Sequence, residues 1–139
     1  MEVVADASEL KIDPIVDGAF AGKPELVETE FAKAMVAGTY PGMIISAAQR
    51  QAAWLHKSAL AVAEGAPVST LLESGFPRLH FSRKPNVETA LRQFSAARLM
   101  MIIEQLATAA LDMRKQAALA AVIAQRTLLS IAVNAKRRG

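Results

Sequence analysis

Apolar residues recur along this chain at intervals of three and four, and apart from the brief EVV near the start no stretch alternates strictly between apolar and polar. That periodicity predicts helices and argues against a sheet. Asp13 before Pro14 reads as a cap followed by proline at the first helical position, opening a short helix that Gly22 ends. Pro24 opens a second helix with acidic residues in its first turns and Gly38 as its stop. Leu26, Val27, Phe31, Ala34 and Met35 share its inward stripe, with Glu30 at the edge. The two helices form a hairpin.

After the turn GTYPG the pattern predicts a long helix over residues 42–64. Stepping 100° per residue places Ile44, Ala48, Ala52, Leu55, Ala59 and Val62 on one side, and Gln49, Arg50, His56, Lys57 and Glu64 roughly opposite. A short helix follows over 68–74, then another over about 86–93 with Asn86 as its cap and Glu88 in the first turn. Ser95 caps the next, whose stripe is Leu99, Ile102, Ile103, Leu106, Ala110 and Met113. Met101 falls among the polar residues of that helix, which marks it as a candidate contact residue. The last helix, about 116–135, has two apolar faces. One carries Leu119, Val122, Ile123, Leu129 and Val133; the other carries Ala117, Ala120, Ala124, Leu128, Ile131 and Ala135. Such a helix sits at the centre of a bundle or is covered by another chain. Met101, Leu128 and Ile131 are therefore the candidate interface residues. Arg126 projects from the middle of the larger apolar face; buried, it requires a carboxylate or helix C-terminal carbonyls, and otherwise its stem lies on the core while its head reaches water. The expected fold is all-α, a single bundle of about six to seven helices over residues 12–139. Residues 1–11 are expected to be a linker or the trailing end of a preceding domain.

Composition narrows the function more than it defines it. At 139 residues there is room for one core. The hydrophobic share of 53% rests largely on alanine, and the longest unbroken apolar run, residues 117–124, is far shorter than the roughly 20 residues of a spanning helix. The start has neither the basic lead nor the apolar core of a signal peptide, and no cysteine is present, so a cytoplasmic protein that makes no membrane contact is expected. The two histidines, His56 and His80, lie on different elements with no third ligand at metal spacing, and HExxH is absent. Glycines stand singly at helix ends and form no phosphate loop, and there is no GxSxG elbow. Ser46, Ser58 and Ser130 fall inside predicted helices, and Glu25, Glu28 and Glu30 read as a solvated face. No catalytic residue, metal ligand or cofactor site is expected, and hence no enzyme activity in this chain.

The net charge of +3 is uneven, with acids concentrated in the first thirty residues and Lys136, Arg137 and Arg138 near the end. The stretch GFPRLHFSRKP, residues 75–85, sets Phe76, Leu79 and Phe81 among Arg78, His80, Arg83 and Lys84. Rings that stack on bases beside cations that meet phosphates would make a nucleic-acid platform, with loop 78–84 and tail 136–138 as its basic contacts. The prolines and Gly75 favour the plainer reading, a joint whose phenylalanines plug into the bundle while Arg83 and Lys84 stay outside.

The order of these pieces resembles the C-terminal collar domain of the delta subunit of the bacterial DNA polymerase III clamp loader. The likeness is carried by IDPIVDGAFAGKPELVETEFAKAMVAGTYPGMIISAAQRQAAWLHK, similar to the family's helix, "AG" turn, helix, turn and long Arg/Gln-bearing helix. It continues through FPRLHFSRK and FSAARLMMIIEQLATAALDMRKQ, and covers about residues 10–135. The resemblance implies a scaffolding role in DNA replication: holding the subunit in a ring with the gamma or tau and delta-prime subunits of a DNA polymerase holoenzyme. It implies that the sliding clamp is gripped only by an N-terminal AAA+ module outside this sequence, and that DNA contact is indirect or weak.

Overall fold

The structure, a computed structural model, describes residues 3–75 and 83–135, with side chains over 11–73 and 83–135. Among these the chain is all-α. The helices are α1 (Val3–Ala21), α2 (Pro24–Val36), α3 (Pro41–Ala63), α4 (Val68–Gly75), α5 (Lys84–Gln93), α6 (Ala96–Lys115) and α7 (Ala120–Asn134), with a 3₁₀ turn, Ala117–Leu119, leading into the last.

Three helix starts differ from the sequence reading: those of α1 and α5, and that of the last helix, which begins as a 3₁₀ turn with α7 proper starting at Ala120. Helix α1 starts well before Asp13 and carries Pro14 in its interior, so residues 3–11 are helical. Proline costs one i−4 hydrogen bond and crowds the preceding turn. Against that local penalty stand a run rich in Ala, Glu, Leu and Lys, all good helix formers, and the core packing of Ile15, Val16, Ala19 and Phe20 just beyond it. Helix α5 starts at Lys84, with Pro85 in its first turn, rather than at Asn86. Asn86 accepts a hydrogen bond from Lys23 Nζ at 2.8 Å, tying the start of α5 to the α1–α2 turn.

Three helix ends follow one rule. At the end of α2, Thr39 N–H donates to Ala34 O (2.9 Å) and Gly38 N–H to Met35 O (3.1 Å), the paired bonds of a Schellman motif. The reversal needs φ of +86° at Gly38, a conformation that costs an L-residue about 1–2 kcal/mol. The same bonds recur at Gly22 and Gly65. The Ser95 side chain caps α6 by accepting from Arg98 N–H at 3.2 Å, and at this point the chain bends 109° between α5 and α6.

The core is continuous from helix to helix. Helix α1 packs on α2, α3, α5 and α7; α3 lies along α6; and α7 touches α1, α2, α3 and α6. Phe20, Ile15, Ile44, Ile45, Leu55, Leu99, Leu106, Leu128 and Ile131 are fully enclosed. Each such side chain contributes roughly 1.5–3 kcal/mol through removal from water. The predicted inner faces of α3 and α6 match the buried residues, with Val62, Ile103 and Ala110 at their margins. Phe20 and Phe94 meet edge to face, their centroids 6.0 Å apart. The Arg98 guanidinium lies 4.9 Å over the Phe94 ring and donates to Asn134 O, closing the C-terminal end of α7 onto the start of α6.

Nothing lies within 4 Å of a Cβ placed at Gly38, so its substitution isolates the backbone term. Gly38→Ala is expected to lower unfolding free energy by about 1 kcal/mol, with the urea m-value unchanged. Chemical denaturation followed by circular dichroism measures both.

Candidate functional sites: a buried ion-pair cluster and a bare helix face

The one charged side chain enclosed among the described residues is Asp17, at 3% exposure, in the middle of the apolar face of α1. A carboxylate there requires a counter-charge, and Arg83 supplies it from the far side of the fold. Arg83 Nε lies 2.8 Å from Asp17 Oδ2 and Nη2 lies 3.0 Å from Oδ1, a two-point fork on one carboxylate. Gln51 on α3 completes the ring: its Nε2 donates to Asp17 Oδ1 (3.0 Å) and its Oε1 accepts from Arg83 Nη2 (3.2 Å). Asp13, one turn before Asp17, stands 3.5 Å from Arg83 Nη1. Two helices distant in sequence, α1 and α3, thus converge on one guanidinium.

This arrangement corrects the reading of Arg83 as an outward basic contact. Its head is directed into the fold and committed to Asp17, because an unpaired buried carboxylate costs more than a solvated arginine gains. Lys84 is half-buried at the first turn of α5. Arg78 and the plugs Phe76, Leu79 and Phe81 lie outside the described residues, as do His80, Lys136, Arg137 and Arg138. The sequence reading assigned Asp13 to a cap and passed over Asp17 and Gln51. The available signal was an aspartate amid Ile12, Ile15, Val16, Ala19 and Phe20, a position that only a paired charge occupies.

The two apolar faces of α7 separate cleanly. Ala124, Leu128, Ile131, Ala132 and Ala135 are buried. Leu128 and Ile131 are therefore core residues and not the interface residues expected of them: they fill the space between α7 and its four neighbours, with alanines around them permitting close approach. The other face is bare, with Leu119 47%, Val122 50% and Val133 54% exposed and Leu129 half-buried. Arg126 decides which face turns inward. It lies on the Leu119–Val133 side, and burying an unpaired guanidinium costs several kcal/mol, so that side faces solvent and Arg126 is exposed. Met101 is 69% exposed, as its polar surroundings on α6 required. It shares a face with Arg98 and Gln105, at i−3 and i+4, which reach Asn134 and Ser130 respectively; Met101 therefore borders the last turns of α7.

Segment Ala117–Asn134 is long and apolar enough, by length and composition, to cross a membrane, although its longest unbroken apolar run is short. Within it only Ala124, Leu128, Ile131 and Ala132 are buried in the protein core. A second, smaller group of exposed apolar side chains, Val36, Tyr40 and Met43, lies at the α2–α3 corner. No group of three His, Asp or Glu side chains is placed to hold a metal ion among the described residues. No family model, no curated protein and no solved structure matches the chain.

The ion-pair cluster yields a stability prediction. Arg83→Ala and Asp17→Ala each remove one partner from an enclosed pair and are expected to cost about 3 kcal/mol. The double variant is expected to lose clearly less than the sum, since neither charge is then stranded. A double-mutant cycle in urea gives the coupling.

Proposed function

We propose that this chain is a subunit-association domain, the collar domain of a clamp-loader delta subunit, which holds the subunit in the ring that places the sliding clamp on DNA during replication. Its partners on this reading are the gamma or tau and delta-prime subunits, and its work is scaffolding, without chemistry of its own.

The observation that carries the reading is the bare apolar face of α7. The domain already encloses a continuous core, so Leu119, Val122 and Val133 contribute nothing to the fold by staying in water. An apolar helix face beside an exposed methionine is the surface that association uses. The resemblance of the sequence segments, in their order, to the collar pattern supports the reading. No observation favours the nucleic-acid reading to the same degree, since Arg83, the innermost cation of its basic loop, is engaged with Asp17.

Light-scattering chromatography of the chain mixed with the collar domain of a gamma subunit from the same source is expected to give one species at the summed mass. Separate elution of two folded proteins at micromolar concentration would contradict the proposal.

A further inference from the structure

The solvent-facing residues of α7 and the turn before it are not scattered. Exposed Leu119, Val122, Arg126 and Val133, with half-buried Leu129 between the last two, follow one another at steps of three, four, three and four, the a/d spacing of a helix-pairing seam. The core-facing residues Ala124, Leu128, Ile131 and Ala135 lie on the other side of the same helix; Leu129 touches the core at the seam's edge, while Leu119, Val122 and Val133 are left to solvent. Arg126 occupies its middle position. No ion pair engages Arg126 among the described residues.

Resting on the association reading, we infer that this seam receives one amphipathic helix of a different chain, which carries an apolar a/d stripe and an aspartate or glutamate opposite Arg126. Charge chooses the occupant. From residue 113 to the end the sequence holds Arg114, Lys115, Arg126, Lys136, Arg137 and Arg138 and no acid, so a carboxylate against Arg126 comes from outside this segment. The same helix of a second copy does not supply it: Arg126 is central in the seam, so both a parallel in-register pairing and a centred antiparallel one set Arg126 against Arg126. A lipid surface fits poorly as well. Interfacial helices show a broad apolar face with cations on the polar face, whereas here the stripe is narrow and the cation sits inside it. A polar residue at one a position commonly fixes register and partner choice at some cost in affinity, and that is the role assigned to Arg126.

The test uses the whole chain and two stapled helical peptides long enough to cover the seam, identical except for Glu or Lys at the position facing Arg126, with binding read by fluorescence anisotropy. The Glu peptide is expected to bind at least about tenfold more tightly than the Lys peptide, and Arg126→Glu is expected to reverse the order. Val122→Ser with Val133→Ser, both at exposed positions and checked for folding by circular dichroism, is expected to abolish binding of either peptide. Equal affinities, or binding unaffected by the serine variant, would overturn the inference. So would a homodimer of the chain that the serine variant dissolves, or adsorption to phosphatidylserine vesicles lost in that variant. A gamma-collar complex insensitive to Arg126→Glu and to the serine variant would overturn the inference and leave the association reading standing. The charge reversal seen with peptides but no gamma complex would do the opposite.

Discussion

A single helix with two apolar faces sets the terms for this domain. Only one side of α7 can enter a core that α1, α2, α3 and α6 already bound, and Arg126 settles which side that is. A guanidinium in the middle of a stripe makes burial of that stripe unfavourable unless a carboxylate accompanies it. The alanine-rich face with Leu128 and Ile131 has no such obstacle and lets neighbouring backbones close in. The fold is thereby completed while an apolar seam is left in solvent, and the proposed association rests on that remainder.

The Asp17–Arg83–Gln51 cluster serves a different purpose. Buried ion pairs contribute modestly to net stability, but they penalise every arrangement in which one partner is missing. Here the pairing brings the segment entering α5 against α1 and α3, across 66 positions of sequence between Asp17 and Arg83. With Lys23–Asn86 and Gln93–Ala21 nearby, polar contacts hold α5 to the end of α1 along its whole length. The bundle's first half and second half are thus registered at the start of α5 by charge and just past its end by the Phe20–Phe94–Arg98–Asn134 chain of contacts.

Helix existence and inner faces were legible in the sequence because periodicity, prolines and stop glycines agree with one another: Pro24 and Gly38 bound α2, and Ser95 opens α6. Boundaries failed where a local signal met a wider one, as at Asp13–Pro14, where helix-forming residues upstream and core packing downstream outweighed a single proline. The long-range partners of charged residues were not legible, since nothing near Arg83 in sequence announces Asp17. The choice between the two faces of α7 was legible in principle, because the position of Arg126 already ranked them. Selecting Leu128 and Ile131 as interface residues overlooked that ranking, whereas Met101, surrounded by polar residues, was placed correctly on the surface.

The absence of cysteine allows a direct measurement of the central claim, that one face of α7 is core and the other stays open until a partner covers it. Single cysteines at position 122 and at position 128, in separate variants, are to be labelled with a maleimide, free and with the gamma-subunit collar domain. The account predicts fast labelling at 122 in the free chain, strong protection there in the mixture, and slow labelling at 128 in both. Slow labelling at 122 in the dilute free chain, or no protection there within a complex shown to have formed, would contradict it.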